Sequence, residues 1–188
     1  MTVDSDSVST EAWNFDSWLN SSDTRASLKG LLDSDSRSAS VLAGSVLDSL
    51  LGQLIAAGLK NRLDSDKLGD PADLDYSTKC TSAREMGLIG ERMLAELRSL
   101  GRIRNEFAHN PTPDLDFESP DVAGAVERLR GPIQIAADKS VPGAGPGVQD
   151  ALERALPLNV TGRRYWWSLA VLAAAGVLGA RLHVAERV

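Results

Sequence analysis

The clearest pattern in the chain lies between Gly90 and Ala108. Leu94, Leu97, Leu100, Ile103 and Phe107 recur at helical spacing and form one apolar stripe, while Arg92, Glu96, Arg98, Arg102 and Glu106 occupy the other side. Asn110-Pro111 ends this helix, because the residue before a proline is driven out of the α region. A second helical pattern runs from Ser40 to Lys60 through Leu47, Leu50, Leu51, Leu54 and Ala57, preceded by several N-cap candidates in SDSRSAS. Gly44, Gly52 and Gly58 weaken it in isolation or let a neighbour approach closely. Residues 61–75, with Gly69, Pro71 and five aspartates, read as a loop. Ser77 to Met86 reads as a short helix closed by Gly87 in the left-handed cap position.

Ser119-Pro120 predicts an N-cap followed by proline at the first helical position, with Val122, Val126 and Leu129 on one face of the helix behind it. Residues 131–147 form a Pro/Gly loop, and Val148 to Leu156 a further short helix. The last helix covers residues 162–185. Its stretch from Tyr165 to Ala180 carries no charge for 16 residues. A membrane span needs about 20 apolar residues. This run is shorter and dilute in Ala and Gly, so a buried core helix is the preferred reading over a membrane anchor. No useful length of β-alternation and no internal repeat occurs. The expected fold is an all-α, single-domain bundle of about five to seven helices.

Composition adds boundaries. The chain has 188 residues and 43% hydrophobic content, enough for one domain with a core. Residues 1–22 are rich in Ser and Asp. They are expected to form a flexible acidic tail, with residues 23–188 as the helical domain. Trp13, Phe15, Trp18 and Leu19 offer the alternative of one short docked amphipathic turn. Formal net charge is −6, which speaks against a surface wholly committed to nucleic acid. The excess is local, since residues 1–36 hold seven acids against Arg25 and Lys29. A basic patch on the folded part stays open. Cys80 is the single cysteine, which excludes an internal disulfide and a cysteine zinc cluster. With His109 and His183 the only histidines, neither a metal nor another cofactor is expected. The first ten residues lack the basic start and apolar stretch of a secretory signal, so a cytoplasmic location is expected.

Chemistry concentrates in GRIRNEFAHN, at the end of the clearest helix. Arg104, Asn105 and His109 are polar groups on a helix that otherwise packs against the core. They either brace the helix end, where a protonated His109 suits the helix dipole, or form a site. Cys80 reads as a buried thiol, and His183 as a solvated residue of the last helical turn.

The spacing Arg104-Asn105, three residues, His109 resembles the RNxxxH motif of the HEPN superfamily, small all-α proteins of which many are metal-independent ribonucleases in toxin, antiphage and RNA-processing systems. A longer resemblance links SDSRSASVLAGSVLDSLLGQL, STKCTSAREMGLIG, LRSLGRIRNEFAHN and LDFESPDV, over roughly residues 34–130, to the mannitol-operon repressor family. RRYWWSLAVLAA is similar to the last helix of that family. The first resemblance implies a homodimeric endoribonuclease, a toxin or defence effector with an antitoxin or other regulatory partner. The second implies a non-enzymatic transcriptional regulator. Because no helix-turn-helix with a basic recognition helix is evident, such a regulator would act through protein partners.

In the ribonuclease reading His109 is the acid or base, Arg104 stabilises charge on phosphate, and Asn105 orients either one. Arg98 and Arg102 either extend a basic strip for the RNA backbone or form a solvated face paired with Glu96 and Glu106. On an unbroken helix five residues turn through about 500°, so Arg104 and His109 point some 140° apart. Either the helix unwinds before Pro111 and returns His109 towards Arg104, or two copies build the groove together.

Overall fold

The computed structural model describes residues 13–60, 70–129, 147–156 and 160–187. The architecture is all-α, and the described residues contain no strand. Among them eight α-helices follow in order: α1 (Phe15–Asn20), α2 (Ser22–Asp33), α3 (Ser36–Lys60), α4 (Tyr76–Glu85), α5 (Glu91–His109), α6 (Pro120–Val126), α7 (Val148–Ala155) and α8 (Gly162–Ala185). A short 3-10 turn, Pro71–Asp73, precedes α4. Of the expected loops 61–75 and 131–147, residues 61–69 and 131–146 lie outside the described residues, and the 3-10 turn falls within the described part of the first.

Helix α3 is the hub. It packs against α8, α5, α4 and α2. Helix α8 is buried continuously from Trp167 to Ala180. A helix apolar on every side is satisfied only when every side is covered, and within this fold neighbouring helices cover it. By length and composition both α3 and α8 are long and apolar enough to cross a membrane. The stripe on α5 is buried as its spacing requires, from Leu94 to Phe107. Each such Leu, Ile or Phe contributes about 1.5–3 kcal/mol relative to exposure. Phe107 meets Phe117 edge-on at 4.9 Å, and Phe117 meets Trp167 at 4.6 Å, which ties α5 to α8 through the loop between α5 and α6.

Short polar side chains start the helices. Asn14 accepts from the Ser17 amide, Ser21 from that of Thr24, Asp35 from that of Ser38, and Asp75 from that of Thr78. The amide of Ser38 holds the Asp35 carboxyl below its ordinary pKa. The hydroxyl of Thr78 does the same for Asp75. Gly87 closes α4 with φ +71°, the conformation for which glycine is suited.

Within the segment expected as an acidic tail, residues 15–20 are helix α1, and Phe15 and Leu19 are buried. The folded domain therefore begins before residue 23. The reason is a recess on α8: a Cβ at Gly176 would run into the Phe15 ring, and one at Gly179 would stand 2.9 Å from Trp13 Cη2. Trp13 also packs on His183, with ring centroids 5.7 Å apart. His183 is thus half-buried beneath an indole instead of solvated.

Candidate functional site

Helix α5 presents the charged residues, and α3 shapes the space beside them. A cavity of about 710 Å³ opens between α3, α4 and α5, with Trp167 and Val171 of α8 also in its lining. Arg98, Arg102, Arg104 and Asn105 all line it. Arg104 reaches it because residue 44 is glycine: a Cβ there would stand 2.7 Å from Arg104 Cγ. The Arg104 Nη1 donates to Asn105 Oδ1 at 3.0 Å. Arg98 donates to Thr81 Oγ1 at 3.2 Å.

The opposite wall comes from α4. Tyr76 lies against Gly101, where a Cβ would stand 2.7 Å from its Cε1, and donates to the Leu97 carbonyl at 3.0 Å. Lys79 is only 2% exposed, and its ammonium is bound to Asp48 Oδ2 at 2.7 Å. Only the lysine is buried, the Asp48 side chain being 36% exposed. Removing Asp48 would leave a buried ammonium without its counter-charge, which is destabilising. Ser40, 1% exposed, also lines the cavity, and its hydroxyl has no hydrogen-bond partner among the described residues. Behind this wall Cys80 is buried, and burial pushes its thiol up to about 11, with a Tyr76 hydrogen bond opposing. Burial likewise raises the Tyr76 phenol above its ordinary range. A thiol shielded in this way stays protonated at neutral pH and is a poor nucleophile.

His109 stands apart. It is exposed, and the residues lining the cavity do not include it. Helix α5 runs unbroken through His109, and the Asn110 amide still bonds to the Glu106 carbonyl at 2.9 Å. Unwinding before Pro111 therefore does not bring His109 back to Arg104. A single chain assembles Arg98, Arg102, Arg104 and Asn105, and leaves His109 on another side of the helix.

The end of α5 is braced by residues outside the motif. Arg37 of α3 donates to the carbonyls of Phe107, Asn110 and Thr112, the last two at 2.9 Å. A guanidinium at a helix C-terminus satisfies orphan carbonyls and opposes the negative end of the dipole. Asn110 adds a bond to Glu106 Oε1 at 2.8 Å and accepts from the Thr112 amide at 3.0 Å. Arg164 does for α2 what Arg37 does for α5, donating to the carbonyls of Leu32 and Ser34. Arg163 clamps Glu118 and Glu127, and its backbone amide holds the Glu118 carboxyl below its ordinary pKa.

Sequence reasoning missed Arg37, Asp48, Tyr76 and Lys79. The spacing of Lys79 within α4 offered a partial signal, since that position shares a face with Cys80 and Ala83, both buried. Nothing local marks Arg37, whose partners lie at least 70 residues away.

Searches for similar family models, curated proteins and solved structures find no match for this chain.

Proposed function

We propose that this protein is a metal-independent endoribonuclease that works as a homodimer, with Arg104 and Asn105 of one copy facing His109 of the other. One observation carries this reading: among the described residues the motif's polar groups do not brace the end of α5. Arg37 and Asn110 hold the end of α5, while Asn105 and His109 are exposed and Asn105 is bonded to Arg104. An exposed histidine and an arginine beside a cavity suit phosphate chemistry better than they suit a helix end already capped.

The reaction needs few groups. A base removes the 2′-hydroxyl proton, and the 2′-oxygen attacks phosphorus. The bond from phosphorus to the 5′-oxygen breaks, and an acid protonates that oxygen, leaving a 2′,3′-cyclic phosphate. His109 supplies the base or the acid. Arg104 binds the non-bridging oxygens through its planar fork, and Asn105 orients that guanidinium. Arg98 and Arg102 hold the adjacent backbone. The HEPN-like spacing of Arg104, Asn105 and His109 supports the same assignment and the toxin or defence context that goes with it.

The test is to incubate purified protein with total RNA in EDTA, beside the Arg104→Ala/His109→Ala double variant. Cleavage by the wild type alone, with cyclic or 3′-phosphate ends and no action on DNA, is the expected result. His109→Ala alone should lower the rate by about two to four orders of magnitude. Arg104→Lys should rescue incompletely, because an ammonium cannot reproduce the fork. Circular dichroism of His109→Ala should match the wild type, since His109 is exposed. Uncut RNA under all conditions, or a protein that sediments only as a monomer at high micromolar concentration, overturns this reading.

A second reading, a regulator acting through a protein partner, is favoured by one feature. Leu42 and Val46 stand one turn apart on α3, 47% and 41% exposed. Loss of a partner on Leu42→Ser/Val46→Ser, with RNA uncut by the wild type, would select it.

A further inference from the structure

We infer that the face where α6 meets the start of α8 docks a protein partner that presents an arginine, whose guanidinium lies between the Trp166 indole and the Glu127 carboxylate. The inference rests neither on RNA cleavage nor on Arg104, Asn105 and His109.

An indole marks the place. Trp166 and Trp167 are neighbours in sequence with opposite fates: Trp167 is 1% exposed in the core, and Trp166 is 47% exposed. An indole left in water to that extent adds little to the core, whereas tryptophan, tyrosine and arginine are the residue types enriched where binding energy concentrates. Arg163, Tyr165 and Trp166 bring all three to one turn of α8, with the Tyr165 ring edge-on to Trp166 at 5.6 Å. Beside Trp166 lies a concavity of about 570 Å³, bordered by Glu118, Val126, Glu127 and Arg163.

Charge selects the occupant. From Asp114 to Glu127 the chain carries five acids, Asp114, Asp116, Glu118, Asp121 and Glu127, and no base. Among the described residues lining the concavity, Arg163 is the one cation against the carboxylates of Glu118 and Glu127, which leaves the place acidic. Arg163 binds Glu127 through Oε1, so Glu127 Oε2 keeps its acceptor sites among the described residues. A guanidinium meets both walls, because its plane stacks on an indole and its fork matches a carboxylate. An anionic partner would meet repulsion there. The carboxylates are also set in advance. Gly162, at φ +63°, has no Cβ, which would stand 2.7 Å from Glu118 Oε1, and that oxygen accepts from the Arg163 amide at 2.9 Å. Groups already held in place lower the ordering cost of binding.

The experiment is a nuclear magnetic resonance titration of the full, nitrogen-labelled chain at physiological salt. The Trp166 indole signal is assigned by its loss in Trp166→Phe. The probe is a blocked glycine pentapeptide with arginine at its second and fourth positions, beside counterparts carrying glutamine or glutamate there. We expect the arginine peptide to move the Trp166 indole and Arg163 amide signals saturably, with Kd between about 0.1 and 5 mM, and neither counterpart to do so. Trp166→Ala and Glu127→Gln, both at exposed positions, should each weaken binding at least about threefold, the scale of one exposed cation–π or ionic contact. Circular dichroism of both should stay native. His109→Ala should leave the titration unchanged, so failure of the ribonuclease reading and failure of this inference are separable. Equal binding of the glutamine peptide, shifts at other acidic positions with the Trp166 indole unmoved, or unchanged affinity in both variants would each overturn the inference. So would a Trp166→Ala variant that sediments differently yet binds the peptide as before, because the face would then be a contact between copies of this chain.

Discussion

Arg104 crosses α3 at Gly44, so closely that a Cβ at residue 44 would stand 2.7 Å from the Arg104 Cγ. The contact places a long cationic side chain at the cavity edge by removing the one carbon that would obstruct it. Gly44→Ala should therefore turn Arg104 out of this position. Helix propensity favours alanine over glycine by about 1 kcal/mol, so the fold should tolerate the change. The expected outcome is a stability, from urea denaturation, within about 1 kcal/mol of the wild type, together with RNA cleavage reduced at least tenfold. A variant that cleaves as the wild type does would show that the Arg104 position is irrelevant.

The unbroken course of α5 gives a test of the shared groove. If Arg104 of one copy acts with His109 of the other, Arg104→Ala and His109→Ala homodimers are both inactive. Mixed after denaturation and refolding together, they form heterodimers in which one of two grooves has both groups intact. Cleavage should return to roughly a quarter of the wild-type level, because half of the dimers are mixed and each carries one intact groove. No recovery, with mixed dimers confirmed by mass, would place both groups in a single chain.

Docking of α1 rests on Phe15, which is 2% exposed and fills the recess at Gly176. Phe15→Ala should cost about 3–5 kcal/mol, the scale for emptying a buried aromatic site. Gly176→Ala should also destabilise, because its Cβ would enter the Phe15 ring. The pair Phe15→Ala/Gly176→Ala should be less damaging than the sum of the singles, since the first change removes the clash of the second. Chemical denaturation of all three variants measures this directly.

Stability should fall in alkali. Burial holds the Cys80 thiol near 11 in the folded protein against an ordinary value of 9.0. Above pH 9 the unfolded chain releases that proton and the native chain retains it. The native state then binds more protons, and stability decreases as pH rises from about 9 to 11. Below pH 8 both states keep the thiol protonated and the group contributes no slope. Tyr76, shifted in the same direction by burial, adds to the trend at the high end. Urea midpoints at pH 7.5 and pH 10.5 should show the loss, and Cys80→Ala should show a smaller one. Iodoacetamide at pH 8 should modify Cys80 only after unfolding.

Local order was readable from residue order alone. The stripe from Leu94 to Phe107, the stop at Asn110-Pro111, the left-handed Gly87 and the start at Ser119-Pro120 all depend on neighbours within one or two turns. The buried character of α8 followed from sixteen uncharged residues in a row. The motif residues were legible too, and so was the divergence of Arg104 and His109, because helix geometry alone sets the angle between positions five apart.

What remained was decided by contacts between distant segments. For Trp13 to Leu19 the residue order left two readings, an acidic tail by composition and a docked amphipathic turn by the spacing of Trp13, Phe15, Trp18 and Leu19. The recess at Gly176 and Gly179, formed more than 150 residues later, decides for the docked turn. Arg37 reaches the end of α5 across at least 70 positions, and Lys79 reaches Asp48 across 31. No periodicity records such pairs, since their closeness depends on how α3, α4 and α5 cross. The cavity follows from the same crossing: Gly44 and Gly101 admit Arg104 and Tyr76, and only the packed helices decide that Arg98, Arg102 and Arg104 share one concave surface while His109 does not.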